Sequence, residues 1–249
     1  MHLSLAATIG LVAVAGLASF VDAIAGGGGL LTLPALLSAG LSSHLSLGTN
    51  KGQSVLGSGA ATLRFWRAGT LARRRSQVSF AAAFAGSLGG AALVSHVDAH
   101  ALEPIIIGLL VAAAALVLMP RPRGGTPARR PLAVATVIAV VVGFYDGFFG
   151  PGTGTLLIVA FMWLLADEPA AASGNAKVVN FGSNLAAVAW FGSHGLVVWS
   201  VALPMAAGQF VGGFLGAHTV LTRGGAVVRV AAVVVALAMI AKLTWQLVA

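Results

Sequence analysis

The chain has 249 residues, of which 58% are hydrophobic and only 8% charged, against the roughly 25% charge of an ordinary soluble domain. A soluble fold of this composition would leave too much apolar surface in water, so a lipid bilayer is its natural solvent. The absence of cysteine excludes disulfides, Cys-ligated zinc and Cys nucleophiles, while the formal net charge of +8 raises the question of an anionic partner.

In chain order, apolar runs fall at 3–25, 30–40, 46–66, 77–96, 102–119, 132–149, 153–166, 174–194, 198–220 and 226–248. Most approach the roughly 20 residues a spanning helix needs. The first could be mistaken for a signal peptide ending near Asp22-Ala23-Ile24-Ala25. Its start carries no Lys or Arg, so it reads as a retained membrane segment. Runs 30–40 and 153–166 are short, and each follows a glycine-rich break: Gly26, Gly27, Gly28 and Gly29 in one case, Gly150-Pro151-Gly152-Thr153-Gly154 in the other. The Arg- and Pro-rich stretch 120–131 reads as a linker between a first membrane repeat, 1–119, and a second, 132–249.

The charges are clustered. Eleven of the fourteen Lys/Arg lie at Arg64, Arg67 and Arg73–Arg75, at Arg121, Arg123, Arg129 and Arg130, and at Arg223 and Arg229. Short basic clusters between long apolar runs are what the positive-inside rule places in cytoplasmic loops, so they read as topology signals. No nucleic-acid partner is expected.

The two repeats resemble each other. Phe20-Val21-Asp22 matches Phe144-Tyr145-Asp146, and Gly26 and Gly28 match Gly150 and Gly152. Further on, Lys51 matches Lys177, Phe65 matches Phe191, Gly69 matches Gly195, and Gly89-Gly90 matches Gly212-Gly213. The nearly constant offset points to an internal duplication. With the basic clusters on one side, each half makes an odd number of crossings, so the repeats are inverted and both termini face outward. Inverted repeats with broken helices are a recurrent build for secondary transporters. The expected fold class is an all-α polytopic membrane protein with about 8–10 membrane segments, some glycine-broken or re-entrant.

Two kinds of charge recur at matching places within the apolar runs of the two halves. Asp22 and Asp146 precede the breaks by four residues, and Lys51 and Lys177 sit near the start of the third segment of each half. A charge at the centre of a membrane helix costs about 2.5–3.5 kcal/mol on insertion scales. The simplest solution is an Asp–Lys pair within each half, or Lys facing an anionic substrate. The plainer alternatives are snorkelling for Lys and half-helix capping for Asp. A protonatable Asp could also couple transport to protons. The helix after each break would offer free N–H groups and positive dipole to an anion, unless the glycines serve only a tight turn or close packing.

Polar residues gather at the same places: Thr49, Asn50, Gln53 and Ser54 in one half, Asn175, Asn180, Ser183 and Asn184 in the other. Each is equally consistent with hydrogen bonding between helices. Gly89-Gly90 and Gly208, Gly212, Gly213 and Gly216 read as packing faces. The six His show no metal-like spacing, and no cofactor is expected.

The ordered set Phe20-Val21-Asp22-Ala23-Ile24-Ala25-Gly26-Gly27-Gly28-Gly29-Leu30-Leu31-Thr32-Leu33-Pro34, Gly48-Thr49-Asn50-Lys51, Gly143-Phe144-Tyr145-Asp146-Gly147-Phe148-Phe149-Gly150-Pro151-Gly152-Thr153-Gly154 and Gly174-Asn175-Ala176-Lys177 resembles the TauE/SafE (TSUP) family, in particular its YfcA-like branch. The resemblance covers nearly the whole chain. It implies a permease of the inner membrane; some members handle sulfite, sulfonates or related anions. The expectation is a secondary transporter of a small anion working by alternating access. Its substrate site would be built from Gly26–Gly29, Asn50, Lys51, Gln53, Gly150, Gly152, Thr153, Gly154, Asn175, Lys177 and Asn180, with Asp22 and Asp146 orienting or coupling. A channel, or a membrane enzyme acting on a lipid-linked substrate, are the alternatives; no P-loop for ATP is present.

Overall fold

The computed structural model describes residues 4–118 and 128–224. Nine α-helices and no strand occur among these residues: α1 (Leu5–Ala25), α2 (Gly29–Ser38), α3 (Ser43–Arg67), α4 (Arg73–Ser95), α5 (Ala99–Leu118), α6 (Pro131–Phe148), α7 (Thr153–Leu164), α8 (Pro169–Ser193) and α9 (Trp199–Arg223). The tenth apolar run, 226–248, and most of the expected linker lie outside the described residues.

Five of these helices, α1, α4, α5, α6 and α9, are long and apolar enough to cross a membrane. Their large exposed side chains, such as Ile9, Leu17, Val137, Val141, Leu203 and Val211, are what a lipid-facing wall requires. The long helices α3 and α8 carry a buried polar face that is turned away from lipid. They bury Thr49, Asn50, Lys51 and Gln53, and Asn175, Lys177, Asn180 and Ser183, and form the centre of the bundle. Buried polar groups at such a centre must find partners or line a cavity.

The short helices α2 and α7 double back on the helices that precede them. Leu36 of α2 and Leu41 beyond it pack with Leu11 and Ala15 of α1 and with Val201 and Met205 of α9. Phe161 of α7 and Leu165 after it pack with Ala135, Ile138 and Ala139 of α6. The far end of each short helix thus returns toward the starting end of its long one. Runs 30–40 and 153–166 are the return arms of helical hairpins, and each glycine break is a hairpin tip.

The most extensive packing joins α1 to α9 and α4 to α6. Each hairpin therefore leans on the fourth helix of the other half. Glycines allow the approach: a Cβ on Gly212 would stand 2.0 Å from the carbonyl oxygen of Gly16, and one on Gly90 2.0 Å from that of Phe144. Both sets act as the small-residue packing faces expected of them.

At one end of the bundle Arg75 of α4 forks onto Asp167, with Nη1 to Oδ1 at 2.9 Å and Nη2 to Oδ2 at 2.5 Å. The guanidinium also lies over the Phe161 ring, 5.8 Å from its centroid. This latch ties the first half to the turn between α7 and α8. Arg75→Lys keeps the charge and loses the planar fork. The expected cost is about 1.5–3 kcal/mol, read as a lower thermal unfolding midpoint in detergent with transport retained at permissive temperature.

Candidate functional site

The two glycine breaks meet. A Cβ on Gly26 would lie 2.1 Å from the Thr155 backbone nitrogen, and one on Gly29 3.0 Å from the Pro151 Cα. Gly26 has φ +79°, a conformation glycine tolerates and L side chains rarely adopt. Thr155 Oγ1 donates to the Ala25 carbonyl at 3.1 Å, and Ser173 Oγ donates to that of Ala23 at 2.6 Å. The hairpin tips are thereby hydrogen-bonded across the halves, with the N-termini of α2 and α7 brought to one place.

The four intramembrane charges pair, but not within each half as the sequence reading expected. Lys51 Nζ donates to Asp146 Oδ1 at 2.7 Å, and Lys177 Nζ to Asp22 Oδ2 at 2.5 Å. Each lysine is neutralised by the other half's aspartate. The reason is topological: each hairpin leans on the other half, so its tip presents its aspartate to the opposite central helix. Both lysines are almost fully buried, with side-chain exposures of 2% and 1%, so neither snorkels to an interface.

The aspartates differ in their remaining partners. Asp22 Oδ1 accepts from the Gly28 backbone N–H at 3.1 Å, so Asp22 caps the start of α2 as well as pairing with Lys177. Asp146 accepts from Thr153 Oγ1 at 3.0 Å and closely from Ser183 Oγ. Its side chain is 5% exposed, against 26% for Asp22. Asp146 is held by two hydroxyls, Asp22 is the more exposed carboxylate, and both border one open space.

That space is a polar cavity of about 40 Å³, a few times the roughly 10–15 Å³ that one water needs. Asp22, Gly28, Gly29, Asn50, Lys51, Asp146, Gly150, Gly152, Thr153, Gly154 and Asn180 line it. It thus brings together most of the predicted site residues. Five fall elsewhere. Gly26 and Gly27 form the contact behind the cavity, and Lys177 reaches it only through Asp22. Gln53 stands one layer back, donating to Asn50 Oδ1 at 3.0 Å. Asn175 belongs to the latch instead: it donates to Asp167 Oδ2 at 3.2 Å and accepts from Ser76 Oγ at 3.2 Å. It precedes Lys177 by two residues on α8, which turns it to the opposite side of the helix.

Ser54, Asn184 and Gln209 also line the cavity. Ser54 and Asn184 are among the polar residues that cluster in the sequence. Gln209 went unassigned because it sits within the glycine packing face of α9. Its signal is that a lone amide in an apolar run must find a partner, and Nε2 lies 3.4 Å from Gln53 Oε1. Thr32, which donates to Asn50 Oδ1 at 2.6 Å, is a further member that the sequence did not single out. Asn180 Oδ1 is buried with no hydrogen-bond partner. No group of three or more His, Cys, Asp or Glu able to hold a metal occurs among the described residues.

Comparison with known proteins agrees with this architecture. Residues 11–243 match the family described as Sulfite exporter TauE/SafE. The chain is 39% identical over 237 residues to an Escherichia coli K12 protein named "Probable membrane transporter protein YfcA", covering 94% of this chain and 88% of that one. It is 38% identical to a "Probable membrane transporter protein" of Haemophilus influenzae, covering 92% and 91%. A Sinorhizobium protein, "Probable membrane transporter protein ORF9", is 36% identical, covering 91% and 88%. No solved structure matches. With its bundle of apolar helices around a polar centre, the chain is a multi-pass membrane protein and belongs to the TauE/SafE family of membrane transporters.

Proposed function

We propose that the chain is a secondary transporter that carries a small oxyanion of sulfite size by alternating access, with the anion seated between the two hairpin tips. The observation that carries this reading is the convergence of two half-helix N-termini on one small polar cavity beside Lys51. Such ends supply N–H donors and partial positive charge to an anion. Asn50 adds to this: its Oδ1 already accepts from Thr32 and Gln53, which leaves its amide N–H₂ for a ligand. Turned about its last bond, the Asn180 amide also offers two N–H donors. The cavity favours sulfite over bulkier sulfonates.

In this reading the halves are inverted repeats and the Arg-rich end of the bundle faces the cytoplasm. The reciprocal packing of α1 on α9 and α6 on α4 supports it. Uptake or release then follows from rocking the two interlocked units about their shared tips. The test is counterflow of labelled sulfite in proteoliposomes. Saturable exchange, competed by sulfite more strongly than by taurine-sized sulfonates, is the expected result; linear, unsaturated flux would favour a pore.

Two lysines and two aspartates leave the empty site neutral. An incoming monoanion is best balanced by one proton, and Asp22, the more exposed carboxylate, is the acceptor the geometry offers. Protonation would release Lys177 and the Gly28 N–H toward the substrate. Asp22→Asn keeps an acceptor oxygen for Gly28 and removes the titration. Accumulation driven by a pH gradient is expected to fall at least tenfold while substrate exchange persists; full retention of gradient-driven accumulation would remove Asp22 from the coupling step.

A further inference from the structure

A second cavity, about 820 Å³ and mostly apolar, opens on the outer wall of the bundle, away from the polar site. Its long side is α3 from Val55 to Trp66, and the other walls come from Phe80 of α4, Phe181 of α8 and Phe210 of α9. It therefore runs along the seam between the α1–α3–α9 unit and the α4–α6–α8 unit. Gly59 forms the floor: a Cβ there would stand 3.1 Å from the Phe181 ring, so only glycine leaves the depth open.

The lining is polar at one end only. Arg73 and Gln77 stand beside Trp66 at the mouth, with exposed Arg67 and Arg74 near by. No acidic residue lines the groove. From Val55 to Trp66 the α3 axis rises about 16 Å, close to half of the roughly 30 Å hydrocarbon core. The groove is thus one leaflet deep, apolar along its length, and capped by arginine and an interfacial tryptophan at the level where headgroups lie. Thr62, 9% exposed, also lines it, and its hydroxyl is buried without a partner.

We propose that this groove is a binding site for an anionic phospholipid of the leaflet at the Arg73 end. One acyl chain fills the channel over Gly59 and the phosphate rests on Arg73. Charge complementarity and matched depth select this occupant: juxtamembrane arginines attract anionic headgroups, and the channel is too apolar for the transported anion. Set in the seam between the two units, the bound lipid is a wedge whose presence favours one arrangement of the seam over others.

The test uses the full chain reconstituted in phosphatidylcholine, titrated with phosphatidylglycerol or phosphatidylcholine brominated on the acyl chains. Quenching of Trp66 is isolated by difference from Trp66→Phe. The expected result is at least threefold stronger quenching by the brominated phosphatidylglycerol at equal mole fraction. Arg73→Gln should abolish that preference, and Gly59→Leu should remove the excess quenching by either lipid. Equal quenching by both lipids in the unaltered chain would overturn the proposal, as would a preference that survives Arg73→Gln. Protection of Trp66 from both lipids together with a dimeric mass would give the groove to a second copy and equally overturn it. Arg73 is exposed and its side chain makes no hydrogen bond or ion pair among the described residues, so this variant decides the matter even where Gly59→Leu does not fold.

Discussion

Lys51→Ala is expected to reduce substrate counterflow at least 100-fold and to lower the thermal unfolding midpoint of the detergent-solubilised protein. Among the described residues Lys51 is the only cation within hydrogen-bond distance of Asp146, and its side chain is 2% exposed. Removing it leaves a carboxylate that Thr153 and Ser183 still contact but no cation balances. Breaking a buried pair from one side costs about 3–5 kcal/mol. The double variant Lys51→Met/Asp146→Leu separates the two effects. Apolar replacement of a whole buried pair is often neutral or stabilising, so the midpoint should recover while counterflow stays absent. Normal counterflow by Lys51→Ala would show that the cavity does not use this lysine to hold the anion.

Gly26→Ala carries the second large effect, on folding. The added methyl would sit 2.1 Å from the Thr155 nitrogen and 2.4 Å from the Gly154 carbonyl carbon. Both are backbone atoms of the other hairpin, so nothing can swing aside. The residue also holds φ +79° and ψ 177°, a region that essentially only glycine enters and that costs an L side chain about 1–3 kcal/mol, and overpacking adds typically 1–3 kcal/mol. A loss of about 2–6 kcal/mol follows, expected to abolish recovery of folded protein by fluorescence-detected size exclusion. Gly10→Ala is the matched control: nothing lies within 4 Å of its Cβ position, and alanine gains helix propensity there. Equal yields of the two variants would mean that the tips do not touch as described.

Much of this was legible in the sequence, for identifiable reasons. Apolar length and the glycine runs marked the helices and both breaks. The paired Asp, Lys and Asn positions marked the polar centre, because such residues in a membrane chain need a cavity or a partner. Partner choice was not legible. Lys51 is nearer in sequence to Asp22 than to Asp146, and nothing local reveals that each hairpin crosses to the other half. Asn175 lies apart from Lys177 for a related reason: their spacing brings them together along the chain but not around the helix. Gln209 was hidden because the glycines flanking it explain α9 without it.

The crossed ion pairs bear on how the molecule is made. Asp22 and Lys177 are 155 positions apart, and Lys51 and Asp146 are 95. When the first half leaves the ribosome, Asp22 and Lys51 are in the chain but neither partner has been synthesised. Each uncompensated charge opposes membrane insertion by about 2.5–3.5 kcal/mol, until Asp146 of α6 and Lys177 of α8 arrive. The order of synthesis leaves the first half without its charge partners until the second is made. Two half-chains made separately should mature only when they are produced together in the same cell.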